Sequence, residues 1–191
     1  MSLKKAIIRS IVVVLIATAS VAVGFLIENI LDKIDRKNHP QDFSQYVSMY
    51  SKAYGVPEYI VYAVIKTESG FDSSTVSSAG AIGLMQIMPE TFKWLTTLLG
   101  DSYETGMLYD PETNIKYGTY YLSYLYGIYA RWSTVYAAYN AGPSVVTRWL
   151  EDKTYSKDGI NLDTIPYPET EAFVSRVERA ADTYLRLYYK D

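Results

Sequence analysis

The sequence predicts an all-α domain that follows one membrane-spanning helix. An apolar run near the N-terminus is long, carries almost no charge, and has basic residues directly before it. Further along, apolar residues recur at helical spacing between prolines and glycines that start and end helices. No stretch alternates polar and apolar residues for long enough to predict a β-strand. The all-α fold class follows from these three observations.

The apolar run extends over residues 11–27, after three basic residues within the first nine positions. At about 1.5 Å per residue it is roughly 25 Å long, close to the thickness of a hydrocarbon core. A cleaved signal peptide is the alternative, but such peptides have a shorter apolar region followed by polar chain. Here Phe25, Leu26 and Ile27 continue the apolar character after the small residues, which favours an uncleaved anchor.

The charge around this run predicts the topology and the domain boundaries. Basic residues before the span place the N-terminus in the cytoplasm, so we expect a single-pass protein with everything after Ile30 outside. Residues 1–30 are predicted to be a cytoplasmic tip and membrane anchor, and residues 31–41 a polar linker that contains His39 and Pro40. The remaining residues, 42–191, are predicted to form the functional domain.

Seven helices are predicted within this domain. Prolines at first-turn positions and acidic residues in first turns mark their starts, because a missing N–H is harmless there and the helix dipole favours negative charge. The predicted helices are 42–54, one that starts at Pro57, 89–99, 110–130, 133–139, 143–150, and a last one that starts at Pro168. Residues 153–166 have weak periodicity and are predicted to be a loop.

Composition excludes several kinds of function. The net charge is −3, and no run of Lys and Arg offers the basic surface of a nucleic-acid-binding protein. The chain has no cysteine, which excludes disulfides, thiolate metal ligands and cysteine nucleophiles. His39 is the only histidine and lies in the predicted polar linker, so a histidine-based triad or metal site is not expected. The chemistry must come from carboxylates, hydroxyls, tyrosines and lysines.

The second predicted helix contains the most informative carboxylate. Glu68 lies on the same helical stripe as Val61, Val64 and Ile65, so it faces the core or the wall of a cleft. Burial disfavours the charged form of a carboxylate and raises its pKa, as a general acid near neutral pH requires. The alternative is a solvated glutamate at a helix end, just before Gly70.

Two further stretches of the sequence favour the catalytic interpretation of Glu68. Residues 77–89 contain too many small residues for a helix and too many apolar residues for a free loop, which is typical of a packed ligand-binding segment. Residues 137–143 end a helix with Tyr139 and Asn140 beside a forced turn at Gly142 and Pro143. Ordinary helix capping is the alternative interpretation of this second stretch.

With these motifs the chain resembles the lytic transglycosylase domain of the soluble lytic type, which is related in fold to goose-type lysozyme. The resemblance covers roughly residues 43–188. The four matching motifs are Glu68-Ser-x-Phe with Gly80-Ala-x-Gly-Leu-Met-Gln-x-Met-Pro89, Asp110-Pro-Glu-Thr-Asn-Ile, Ala138-Tyr-Asn-Ala-Gly-Pro143, and Ile165-Pro-Tyr-Pro-Glu-Thr170. The family usually has proline at Ser73, a basic residue near Glu171 and tyrosine at Phe173. Ser73 is expected to loosen the loop after Glu68 and the other two to alter the far end of the sugar groove, so the resemblance implies the chemistry more firmly than the substrate preference.

The resemblance implies specific roles for residues of this chain. Glu68 is implied to be the sole catalytic carboxylate. Six substrate-binding residues are implied: Ser77 and Tyr139 near the carboxylate, and Gln86, Met88, Asn140 and Tyr167 along the sugar sites. No metal and no cofactor are implied. Asp72 is the nearest candidate for a second acid in sequence, but its position after Gly70 favours a turn-capping role.

The implied activity is cleavage of the MurNAc–GlcNAc β-1,4 bond of peptidoglycan, with formation of 1,6-anhydro-MurNAc ends. A muramidase that hydrolyses the same bond is one alternative. A non-catalytic wall-binding module of a secretion or conjugation apparatus is another. The expected partners are peptidoglycan glycan strands and the membrane, and the resemblance leaves room for a protein complex in the cell envelope.

Overall fold

A computed structural model describes residues 3–190, so Met1, Ser2 and Asp191, which belong to the predicted anchor and domain, lie outside the described residues. The chain divides into two compact units, Met1–Pro40 and Gln41–Asp191. Between residues 3 and 190 there are eight α-helices and no β-strand beyond isolated bridges. The predicted all-α fold class is therefore confirmed.

The first unit is one long helix, α1 (Leu3–Asn38). Its large apolar side chains from Ile7 to Ile34 are all exposed within this unit, so they do not belong to a protein core. In the described part of the chain, this is the one helix long and apolar enough to cross a membrane. The predicted linker is mostly helical, because no proline occurs before Pro40 to end the helix.

The second unit contains the other seven helices. They are α2 (Ser44–Tyr54), α3 (Glu58–Glu68), α4 (Pro89–Leu99), α5 (Pro111–Tyr129), α6 (Trp132–Ala141), α7 (Pro143–Glu151) and α8 (Pro168–Tyr184). All seven correspond to predicted helices, and residues 153–166 form the expected loop. A 3₁₀ turn at Thr105–Tyr109 and a π-helical turn at Leu185–Tyr189 were not predicted.

Local chemistry explains where these helices begin. Pro89, Pro143 and Pro168 each occupy a first-turn position, where the absent N–H breaks no hydrogen bond. Asp110 caps α5, since its carboxylate accepts a hydrogen bond from the backbone N–H of Thr113 at 2.8 Å. The prolines and the aspartate that predicted helix starts in the sequence therefore lie at the first turns and at the N-cap of the observed helices.

Helix α3 is the centre of the second unit. Every residue from Ile60 to Ile65 is buried, and α3 packs against α8 and α2. Tyr62 of α3 stacks on Tyr184 of α8 with their ring centroids 5.3 Å apart. Because α3 is covered on several sides, its position is fixed, and so is the position of Glu68 at its C-terminal end.

Candidate active site

Glu68 is the last residue of α3 and is half-buried. The three apolar residues that share its predicted stripe are fully buried, so the stripe faces inward as expected. Burial raises the pKa of Glu68 to about 8, Arg176 opposes this shift, and the charge of Glu169 adds to it. Glu68 is therefore mostly protonated at neutral pH, the state that a general acid needs.

Among the described residues, none forms a hydrogen bond or a salt bridge with the carboxyl group of Glu68. It forms no salt bridge and accepts no hydrogen bond that would hold it in the ionised form. Its position in the last turn of a helix also disfavours negative charge, because the negative end of the helix dipole is there. Both oxygens of Glu68 remain available for a ligand.

The segment after Glu68 is held in place by Asn114 of α5, which is completely buried. The Asn114 side chain accepts a hydrogen bond from the Met85 N–H at 2.8 Å and donates to the Ile82 and Leu108 carbonyls at 2.9 and 2.8 Å. A Cβ atom at Gly83 would collide with this side chain. The predicted packed segment thus folds around one buried amide.

Tyr139 of α6 contacts the packed segment that follows Glu68. Its hydroxyl donates a hydrogen bond of 2.7 Å to the Met85 carbonyl, which attaches α6 to the packed segment. Burial raises the pKa of Tyr139 well above its ordinary value, and the negative charge of Glu68 raises it further. Tyr139 is therefore a neutral phenol whose hydroxyl oxygen can still accept a hydrogen bond.

Gln86 has a fixed orientation despite its partly exposed position. Its backbone lies in the left-handed region with φ of 49°. Its side-chain NH₂ group donates to the carbonyls of Thr75 and Gly83 at 3.0 and 2.9 Å. Because both partners are carbonyls, the nitrogen must face them, and the Gln86 oxygen is left as the group that a ligand can use.

Asn140 is oriented in the opposite sense. The hydroxyl of Thr170, which is buried, donates a hydrogen bond of 2.7 Å to the side-chain oxygen of Asn140. Its NH₂ group is then left as a donor. Gln86 and Asn140 therefore offer one acceptor and one donor, a combination suited to the hydroxyl and acetamido groups of a sugar.

Five of the six predicted substrate-binding residues line two adjoining cavities. A cavity of about 260 Å³ is lined by Gln86, Met88, Tyr139 and Asn140, among others. A cavity of about 330 Å³ is lined by Asn140, Tyr167 and Glu169, and both cavities share Asn140 and Ala141. Tyr167 is exposed and packs edge-on against Trp149, with ring centroids 4.9 Å apart. Residues far apart in sequence thus form one groove.

Ser77 does not line either of these two cavities. Its hydroxyl oxygen accepts a hydrogen bond from the Ala81 N–H at 3.0 Å, and its own N–H donates to the Ala81 carbonyl at 2.9 Å. Ser77 therefore closes the turn at Gly80. Neither Ser77 nor Tyr139 forms a hydrogen bond to the Glu68 carboxyl group itself.

Asp72 is a turn-capping residue, as expected. Its carboxylate accepts hydrogen bonds from the backbone N–H and the hydroxyl of Ser74 at 2.8 and 2.6 Å. These hydrogen bonds lower the pKa of Asp72. An exposed, ionised carboxylate with two local donors is poorly suited to act on a bond next to Glu68.

The sequence interpretation gave no role to four residues that shape the site. Asn114, Glu169 and Thr170 lie within the quoted motifs, and a polar amide next to Ile115 inside a predicted helix was the available signal for Asn114. Glu169 and Arg176 of α8 exert charge on Glu68. No local pattern pointed to their effect on Glu68, because α8 lies about a hundred residues further along the chain. Among residues 3–190, no group of three or more His, Cys, Asp and Glu side chains could hold a metal ion.

Known proteins are similar to this chain in sequence and in fold. The sequence profile of the transglycosylase SLT domain matches residues 45–162. The soluble lytic murein transglycosylase of Escherichia coli K12 is 34% identical over 157 residues, which is 80% of this chain and 24% of that protein. The membrane-bound lytic murein transglycosylase C of Edwardsiella ictaluri is 38% identical, over 85% of this chain and 50% of that protein. This chain thus spans about a quarter to a half of the length of these relatives.

Solved structures of lytic transglycosylases are also similar to this chain. The 70 kDa soluble lytic transglycosylase from Escherichia coli superimposes with a TM-score of 0.73 and 29% identity, over 82% of this chain and 26% of that one. An inactive mutant of the lytic transglycosylase Slt from Pseudomonas aeruginosa gives a TM-score of 0.70 and 31% identity, over 80% of this chain and 25% of that one. From its sequence and its fold, the chain belongs to the transglycosylase SLT domain family.

Proposed function

We propose that this chain is a membrane-anchored lytic transglycosylase that cleaves the MurNAc–GlcNAc β-1,4 bond of peptidoglycan and leaves 1,6-anhydro-MurNAc ends. The observation that carries the proposal is Glu68, one carboxyl group with a pKa of about 8 near a groove lined by Tyr139, Gln86 and Asn140. Membership of the SLT family supports it.

The first step uses Glu68 as an acid. Its carboxyl proton is transferred to the glycosidic oxygen as the bond from that oxygen to the anomeric carbon of MurNAc breaks. The high pKa of Glu68 keeps this proton in place at neutral pH until a substrate arrives. The leaving sugar departs with a free hydroxyl group, and Glu68 becomes a carboxylate.

The second step uses the same residue as a base. The Glu68 carboxylate removes the proton of the substrate's own 6-hydroxyl, and that oxygen attacks the anomeric carbon to close the 1,6-anhydro ring. Glu68 recovers its proton, so the cycle is complete without water. The attacking hydroxyl is tethered to the reacting ring, which gives it a large advantage over an external nucleophile.

Three groups are proposed to position the sugar. Gln86 offers an acceptor and Asn140 a donor, and hydrogen bonds within the protein hold both side chains in place. The Tyr139 hydroxyl can accept a hydrogen bond next to Glu68. Fixed polar groups are effective here, because they need no reorganisation when the substrate binds.

Hydrolysis of the same bond would require a base for an attacking water. Asp72 is exposed and engaged by Ser74, so it is not proposed for this task. Glu169 is the carboxylate whose charge acts on Glu68, and it lines the cavity with Asn140 and Tyr167. Glu169 is therefore the candidate base if the reaction is that of a muramidase, and product analysis separates the two reactions.

The membrane anchor and its topology are part of the proposal. The apolar side chains of α1 are exposed, and some relatives are named as membrane-bound. Basic residues before the span support a cytoplasmic N-terminus, with the domain on the extracytoplasmic side of the membrane. That side is where a peptidoglycan strand is found.

The proposal is tested by digesting purified peptidoglycan with the detergent-solubilised full chain and analysing the fragments by mass spectrometry. Fragments are expected to be about 18 mass units lighter than hydrolysed ones, the mass of one water, and to resist borohydride reduction because no free anomeric end is left. Predominantly reducible ends would identify a muramidase. Binding without any cleavage would identify a non-catalytic wall-binding module.

A further inference from the structure

A third cavity extends the groove away from Tyr167. It has a volume of about 670 Å³ and lies between α4, α5 and α7. It shares Thr91, Tyr121 and Pro143 with the cavity that contains Tyr139. A polymer that occupies the groove would therefore enter this space without leaving the protein surface.

The walls of this cavity are aromatic. Trp94 and Tyr124 are both partly exposed, and their rings are 4.9 Å apart and perpendicular at 84°. Tyr121 closes the inner side, with its ring 6.2 Å from Trp94 and also nearly perpendicular to it. The result is an aromatic corner in which a flat ring can lie against one face while its edge meets the other.

Polar side chains border this corner, and their charge indicates which kind of ligand can bind. Hydroxyls of Thr91, Ser144 and Thr147 and the carboxylate of Glu90 lie around the cavity. Among the described residues that line the cavity, Glu90 is the one charged side chain, and no Lys or Arg is there to receive an anionic group. A lining of this kind suits a neutral ring with apolar faces and hydroxyl edges, and it disfavours stem peptides that carry free carboxylates.

We infer that the aromatic corner of Trp94 and Tyr124 is a binding site for an N-acetylglucosamine ring of the same glycan strand, beyond the sugars held next to Glu68. The inference rests on the proposed function, because it assumes that a glycan strand lies in the groove. It assigns Trp94 the role of a stacking surface that makes the protein favour long strands over short fragments. Trp94 takes no part in proton transfer.

The test measures binding of N-acetylglucosamine oligomers of two and six units to the full chain in detergent, by isothermal titration calorimetry. All proteins carry Glu68→Gln, so that no ligand is cleaved. Trp94→Ala is expected to weaken hexamer binding about tenfold, equivalent to about 1.4 kcal/mol, and to change dimer binding less than about twofold. Trp94→Phe keeps an aromatic face and is expected to retain most of the hexamer affinity.

Tyr109→Ala is the matched control, because Tyr109 is a similarly exposed aromatic that lines none of the three cavities. It should leave both affinities unchanged. Circular dichroism of each variant verifies the fold. Equal loss of dimer and hexamer affinity in Trp94→Ala, or no loss at all, would overturn the inference. If the protein without the Trp94 change binds neither oligomer, the inference is also overturned, whereas the proposed function fails only if peptidoglycan digestion yields no 1,6-anhydro ends, so the two failures are distinguishable.

Discussion

Replacing Glu68 by Gln should abolish cleavage and at the same time stabilise the fold. The substitution keeps the shape of the side chain but removes its titratable proton. Loss of a positioned general acid and base is expected to lower the cleavage rate by about 10²–10⁴-fold. The gain in stability follows from the raised pKa of Glu68. Burial penalises the ionised carboxylate, so at neutral pH the protein must take up a proton at Glu68 when it folds, and Gln has no such cost.

The magnitude of the stabilisation depends on pH. The Glu68 pKa rises from 4.5 to about 8 on folding, so between these values the unfolded chain loses the proton while the folded chain keeps it. Stability contributed by the protonated group is present in full below pH 4.5 and declines until the pH passes 8. Gln does not titrate and avoids this decline. The variant should be more stable by about 3 kcal/mol at pH 7 and about 5 kcal/mol above pH 8, as upper limits because water reaches part of the carboxyl group.

Urea unfolding followed by circular dichroism at pH 4, 7 and 9 measures this difference. Glu151→Gln is the control, because Glu151 is exposed and should change stability little at any of these pH values. The same proteins are assayed for release of soluble fragments from peptidoglycan. Wild-type activity should fall as the pH rises through about 8, because the acid form of Glu68 is then lost.

Two results would refute this reasoning. If Glu68→Gln retains more than about a tenth of wild-type activity, then Glu68 is not the general acid. If the stability difference does not increase between pH 4 and pH 9, then the pKa of Glu68 is not raised by burial. The first result concerns the chemistry and the second concerns the environment, so each can fail independently of the other.

Three further outcomes are expected. Deletion of residues 1–38 should give a soluble, active domain, because the exposed apolar helix α1 belongs to a separate unit; aggregation or lost helical circular dichroism would contradict this. Asn114→Ala should lower the unfolding free energy by about 2–4 kcal/mol, because it removes three buried hydrogen bonds, and only the Ile82 carbonyl keeps another donor, the Ile87 N–H; a loss below about 1 kcal/mol in urea unfolding would be too small for this role. Tyr139→Phe should lower activity and cost about 1–3 kcal/mol by orphaning the Met85 carbonyl; unchanged values in the fragment-release and unfolding assays would count against both effects.

The sequence by itself determined the helical framework and the orientation of Glu68. Prolines at the starts of α4, α7 and α8 act through local sterics, so their effect can be read without knowing the fold. The same holds for the inward-facing stripe of α3, since a period of 3.6 residues places Glu68 on the same side as Val61 and Ile65 wherever the helix packs. The missed 3₁₀ turn at Thr105–Tyr109 has no such pattern, because it is too short to show one.

Only the tertiary structure decided how the site is held together. Asn114 reaches Met85 across 29 residues, Thr170 reaches Asn140 across 30, and Tyr139 reaches Met85 across 54. The same holds for the aromatic corner, since α4 and α5 must pack before Trp94 can meet Tyr124. Periodicity reports which face of a helix is apolar, but it does not say which helix will cover that face. Those pairings depend on the packing of the whole domain, which no local pattern contains.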